Sequence, residues 1–301
     1  MAGAPQVACA QDARDAPQYD LSPAERGWEL GARYWWSQGK TQWNHNAQPT
    51  FGNPGSILAY DRLYAHSLEF HGAKRWSQGW FITGNAGFGL IYKGNLNDSD
   101  YDKAQVKMSE TNSSVHDGQL GYVTVDGGYD VWQLAGGGAV GFFGGLQYWT
   151  EQVNANGLSN VVGGSPNLGG NVNVITNQVH WTSLRAGLAL RSQFGEKFRL
   201  AAKLAAVPYT QMTNDDSHNL RTSPSDLGGT PNITMDGHGR GYQLDAEARY
   251  AIYKSLDLGL GVRYWKLKAS GDVRFGSRVT LPLNDLESTR YGVTLSLINR
   301  W

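Results

Sequence analysis

Apolar and polar residues alternate with a period of two along most of the chain from residue 27 onward, the mark of strands with two different faces. In the last segment Tyr291, Val293, Leu295, Leu297 and Trp301 oppose Arg290, Thr294, Ser296 and Arg300. Near 244–252, Leu244, Ala246, Ala248, Tyr250 and Ile252 oppose Gln243, Asp245, Glu247 and Arg249. A soluble β-sandwich turns its apolar faces into a core. Here strand after strand sets an apolar face against a charged one, which suits a barrel with lipid outside and polar side chains inside. Ten segments are predicted, at about 27–36, 58–70, 80–92, 119–132, 140–151, 179–193, 198–209, 240–252, 256–267 and 289–301. The connections alternate: short near 71–79, 133–139, 194–197 and 253–255, long and polar near 37–57, 93–118, 152–178, 210–239 and 268–288. The expectation is an all-β fold, a ten-stranded antiparallel transmembrane β-barrel with short periplasmic turns and long extracellular loops. It would lie in a bacterial outer membrane with both termini periplasmic.

Composition agrees. Glycine fills 39 of 301 positions and there are 11 Trp and 15 Tyr, which fits strands, tight turns and interfacial aromatics rather than helices. Formal net charge is zero, so nothing points to nucleic acid. The single cysteine, Cys9, excludes an intramolecular disulfide. Ala8-Cys9-Ala10 resembles the end of a secretory signal, and residues 1–26 are taken as residual signal and periplasmic tail, with the barrel over 27–301. The predicted inner faces carry acids (Glu29, Asp126, Asp130, Asp245, Glu247) and bases (Arg33, Arg185, Lys203, Arg249, Arg263, Arg290). Mixed signs suit a narrow lumen filled by ion pairs rather than a diffusion pore.

Catalytic groups belong on the long loops or the upper strand ends. Two clusters stand there, Asn97-Asp98-Ser99-Asp100-Tyr101-Asp102 and Asn214-Asp215-Asp216-Ser217-His218, after strands 3 and 7, which face each other across the mouth. In an extended segment residues i and i+2 share a face. Asp98 and Asp100 would then crowd two carboxylates together and raise one pKa, and Asp216 would orient His218 as a general base. Taken singly, a D-x-D is more often a solvated turn and a D-x-H more often nothing. The other histidines make no metal spacing, and no cofactor or metal is expected; His45 and His116 are expected in solvated loops.

These motifs resemble the omptin family of ten-stranded outer-membrane endopeptidases. Ser37-Gln38-Gly39-Lys40-Thr41, Ser56-Ile57-Leu58-Ala59-Tyr60, Gly94 to Tyr101, and Asp216-Ser217-His218 carry the likeness. The resemblance implies that Asp216 and His218 activate a water opposite Asp98 and Asp100, that the substrate is a peptide or protein, and that the outer face binds lipopolysaccharide. It also implies acids in a pocket for a basic side chain, but those positions are Trp43 and Asn214. Only Asp215 or Asp102 could replace them. The competing expectation is a non-enzymatic structural, adhesive or partner-anchoring barrel, with a membrane-protein partner. A small-solute channel is a weaker third.

Overall fold

Every predicted segment becomes a strand. A computed structural model describes residues 27–134 and 137–301; the expected tail, 1–26, lies outside them. The strands are β1 (Gly27–His45), β2 (Ser56–Arg75), β3 (Trp80–Tyr101), β4 (Lys107–Gln133), β5 (Gly138–Val162), β6 (Leu168–Phe194), β7 (Phe198–His218), β8 (Ile233–Ala251), β9 (Leu256–Phe275) and β10 (Val279–Arg300). Each pairs antiparallel with its neighbours, and β1 closes on β10. Gly27 and Trp301 lie together at one end, the terminal end, where Trp28 and Trp301 exchange backbone hydrogen bonds of 2.8 and 3.0 Å. The other end is the distal rim.

The long loops expected from sequence are mostly strand. The distal connections shrink to 46–55, 102–106, 163–167, 219–232 and 276–278. The reason is a change in what each face meets. On β1 the outward residues Trp28, Leu30, Tyr34 and Trp36 are apolar; those that follow, Gln38, Lys40, Gln42 and Asn44, are polar. Nine residues of tilted strand span roughly 25 Å, one apolar membrane core. Beyond it the outside meets water, so the outward face turns polar and the inward face turns apolar. Trp43, Leu58, Leu96, Val179, Trp181, Met212 and Leu286 form an apolar core inside this projecting part. A search for apolar residues on the outward face therefore stops at the belt, although the ladder continues.

Inside the belt the lumen is filled by ion pairs. Glu69, fully buried, accepts from Arg33 and Arg263 at 2.7 Å each. Arg249 reaches Glu29 at 3.0 Å and Glu247 at 2.6 Å, and Asp126 takes Lys203 at 2.7 Å and Arg185 at 3.3 Å. Every charged side chain assigned to the inner faces by alternation belongs to this network, which also holds Asp245 through Arg263, or to the pairs beside it, Arg191 with Asp130 and Arg290 with Glu151. Above them Trp35, Tyr122 and Trp149 surround Trp265 with ring centroids 5.1–5.6 Å from it, and Arg263 lies 4.9 Å from the Trp35 and Trp265 rings. Arg290 holds Glu151 with two bonds of 2.7 and 3.0 Å at the same level. It needs Gly39, because a Cβ there would stand 2.5 Å from the guanidinium.

Four strands change phase as they leave the belt. On β7 the buried positions are odd-numbered up to Val207 and even-numbered from Thr210. One extra residue lies between Val207 and Thr210, opposite Gly241 and Gly239 of β8. Pro208, which has no N–H to offer a ladder, occupies this bulge. On β3 the same switch occurs between Ile91 and Gly94, and β2 and β4 switch at matching heights. Deleting Pro208 is expected to remove the bulge and leave Val207 opposite Gly241 and Thr210 opposite Gly239, so that Asp216 and His218 still face inward. In a Cys9→Ser background, His218→Cys should resist a bulky maleimide with or without Pro208; labelling that appears only after the deletion would refute the bulge account.

Candidate active site at the distal rim

The bulges deliver both acidic motifs to the interior. Asp98 and Asp100 face inward from β3, beside Leu58 and Ser56 of β2 in the ladder. Asn97 and Ser99 face the other way, with Ser99 Oγ donating to Asn97 Oδ1 at 3.0 Å and Asn97 Nδ2 donating to Glu110 at 2.7 Å. Asp216 and His218 face inward from β7. Both motifs thus stand on strand ends, not loops. Asp215 is exposed on the outer face. Asp102 caps a turn by accepting from Ala104 N and Val106 N at 2.9 Å each. Neither is placed to serve as an acid in an interior pocket.

Asp216 is fully buried. Its Oδ2 accepts from Trp43 Nε1 at 3.1 Å and from Tyr60 OH at 3.4 Å, so side chains from β1 and β2 cross the lumen to reach β7. Its Oδ1 lies 3.6 Å from His218 Nε2, too far for a hydrogen bond. Asp216 Oδ1, His218 Nε2 and Asp98 Oδ1 are all buried without a hydrogen-bond partner. The His218 backbone is clamped by Asn232, whose Oδ1 accepts from His218 N at 2.9 Å and whose Nδ2 donates to His218 O at 3.1 Å. Asn214, buried below Asp216, donates to Asn177 at 2.9 Å and touches the Met235 sulfur at 3.7 Å.

These groups stand above the apolar belt, in the water-exposed part of the barrel, and burial governs their protonation. Burial pushes Asp216 up to about 7, against the Trp43 and Tyr60 hydrogen bonds that favour its anion. Burial, then the positive charge of Arg221, pulls His218 down to about 4. Asp98 is raised well above the carboxylate range by burial, by Asp100 and by Asp216 across the lumen. Tyr60, between them, is raised by burial and by the charges of both Asp216 and Asp98. Near neutrality the Asp216–His218 couple is therefore a proximity contact of weakly charged partners rather than an ion pair. All of this draws the four expected residues toward one space: Asp216 beside His218, with Asp98 within reach of its charge and Asp100 acting on Asp98.

Sequence reasoning missed Trp43 as a hydrogen-bond donor, Tyr60, and the Asn232 clamp. Trp43 follows from the continued inward parity of β1, and Tyr60 only once the phase switch of β2 between Leu63 and Tyr60 is allowed for. The clamp has no sequence signal. His45 is a correction. It is not a solvated loop residue but is buried at the end of β1, its ring 5.0 Å from Phe275, and burial lowers it to about 4. His116 lies on β4, beside Asp117 at 2.8 Å. Among the described residues no three His, Cys, Asp or Glu side chains group as metal ligands.

The profile of the family described as Pom, Protochlamydia outer membrane protein, matches residues 34–300. The chain belongs to this Pom family. No curated protein matches it. The outer membrane protease OmpT from Escherichia coli aligns with a TM-score of 0.72 at 13% identity, covering 94% of this chain and 100% of that one. The translocator domain of autotransporter NalP from Neisseria meningitidis gives 0.42 at 10% identity, over 93% and 91%. The attachment invasion locus protein Ail of Yersinia pestis gives 0.31 at 8%, over 92% and 99%. The Pom-family chain is thus a divergent, omptin-like outer-membrane barrel, and the likeness to OmpT is one of fold.

Proposed function

We propose that this Pom-family barrel is an omptin-like endopeptidase, with the hydrolytic water held between Asp98 and the Asp216–His218 couple. The observation that carries the reading is the convergence, from facing walls, of three buried polar atoms with no partner in the chain: Asp98 Oδ1, Asp216 Oδ1 and His218 Nε2. Once Asp216 ionises, His218 can turn its Nε2–H to the carboxylate and offer Nδ1 to the water as general base. Asp98, kept protonated, can donate to the oxyanion that forms and then to the leaving amine. Asp100 sustains that proton by its charge. Trp43 and Asn214 stand where a basic-residue pocket would need acids, so cleavage between basic residues is not part of the proposal. Short turns at the terminal end and a tall polar collar at the other favour periplasmic termini and an extracellular rim, where lipopolysaccharide would surround the barrel.

The second reading, a non-enzymatic structural, adhesive or anchoring barrel, is favoured by one observation. Asp216 Oδ2 is already satisfied by Trp43 and Tyr60. Incubating the barrel with a peptide library in lipopolysaccharide-containing micelles separates the two. The endopeptidase cleaves, and His218→Ala loses about 10²–10⁴-fold in rate; absence of any cleavage selects the second reading. The rate should rise with pH through about 7 as Asp216 ionises, then fall when Asp98 loses its proton. Trp43→Phe removes a bond that favours the anion, so the rising limb should move to higher pH. A limb that stays in place would exclude Asp216 as the ionising group.

A further inference from the structure

A second cavity lies in the membrane half of the lumen, on the opposite side of the Trp35, Tyr122, Trp149 and Trp265 cluster from the rim. Its volume is about 140 Å³. A smaller space at the terminal mouth shares Glu29, Arg75, Arg191 and Arg249 with it, so the cavity opens toward the chain ends. The aromatic cluster and the Arg290–Glu151 pair stop it on the distal side. It is a blind pocket, not a channel.

Seven cationic side chains line the cavity: Arg33, Arg75, Arg185, Arg191, Lys203, Arg249 and Arg263. The lining supplies four carboxylates, Glu29, Asp126, Asp245 and Glu247. Glu69 and Asp130 add two more by pairing with lining arginines from the wall. Seven cations thus face six anions, and one cation is left over. That cation is Arg75. It forms no ion pair among the described residues, its Nε is buried without a hydrogen-bond partner, and its guanidinium rests 5.5 Å from the Phe81 ring. The mouth repeats the imbalance, since Arg199 and Arg300 share the single carboxylate Asp257. Further unpartnered polar atoms face the same space, both ring nitrogens of His71 and Oδ1 of Asn85 among them. This half-buried guanidinium touches no carboxylate among the described residues, Glu29 and Asp130 acting on it only from a distance, which leaves it short of partners, and its planar fork suits a tetrahedral oxyanion that can accept two bonds at once.

We propose that this pocket binds a small free oxyanion of phosphate type, entering from the terminal mouth and neutralised chiefly by Arg75. Titrating the full chain in non-ionic, phosphate-free micelles with inorganic phosphate tests it calorimetrically. One phosphate per barrel is expected, with affinity falling as sodium chloride is added. Arg75→Gln should weaken binding at least about tenfold, and Arg75→Lys should weaken it less. Lys103→Gln on the distal turn should leave it unchanged. Because Arg75 holds no ion pair, its replacement should not unfold the barrel, and an unaltered melting temperature without phosphate checks this. No heat with phosphate would overturn the proposal. So would equal binding by Arg75→Gln, or phosphate flux through the barrel in phosphatidylcholine vesicles, which would make the pocket part of a channel.

Discussion

Replacing Asp216 by asparagine is expected to make the barrel more stable while cutting the proposed peptide hydrolysis by orders of magnitude. The carboxyl is raised from the ordinary 3.8 to about 7 by burial. In the unfolded chain it ionises near 4; in the folded chain it resists until about 7. The folded state therefore carries no penalty below pH 4, a growing one between 4 and 7, and the full one above. Three pKa units correspond to about 4 kcal/mol. Asparagine keeps an oxygen for Trp43 and Tyr60, and its amide can donate to His218 Nε2, 3.6 Å from Asp216 Oδ1 in the native barrel. Urea midpoints in micelles should coincide for the two proteins at pH 4 and separate in favour of Asp216→Asn at pH 8. Hydrolysis, without the carboxylate that orients His218, should fall by about 10³-fold or more. A variant that is less stable at pH 8 would contradict the burial argument, and one that retains its rate would remove Asp216 from the reaction.

Glu69→Ala should cause the largest loss of stability of any single lumen substitution named here. The carboxylate accepts from Arg33 and Arg263. Removing it leaves Arg33 to Glu247 alone and Arg263 to Asp245 alone. Arg263 also stacks on the Trp35 and Trp265 rings, so its displacement would loosen the aromatic cluster that divides the lumen. Breaking a buried pair from one side costs about 3–5 kcal/mol. Glu69→Gln keeps the shape and one acceptor and should cost less. The temperature at which the barrel unfolds in micelles, read by circular dichroism, should fall in the order native, Gln, Ala; an Ala variant equal to native would mean that water in the cavity replaces the carboxylate.

The sequence carries the membrane half well. Alternation identifies Glu29, Asp245, Glu247, Arg249 and Arg263 as lumen residues because lipid demands an apolar partner on the other face of each strand. It conceals the collar, because once water replaces lipid outside, Gln38, Lys40, Gln42 and Asn44 look like loop. The D-x-D and D-x-H motifs survive this error, since i and i+2 share a face wherever the strand is extended. Which face they share is not written in the motif. Counted upward from the belt, it comes out wrong unless the extra residue near Pro208 in β7 and its counterpart in β3 are allowed for. Trp43 and Tyr60 are hidden for another reason, since a contact across a barrel has no local spacing.

Those bulges give the rim a kind of slack. A residue gained or lost within a bulge at the top of the belt leaves both the lipid-facing wall and the inward side chains above it in place, because the paired neighbours keep their register. Relatives of this chain can therefore differ in strand length at this height while keeping the same inward positions at the rim. Comparing their rims residue by residue requires counting from the bulge upward, not from the belt.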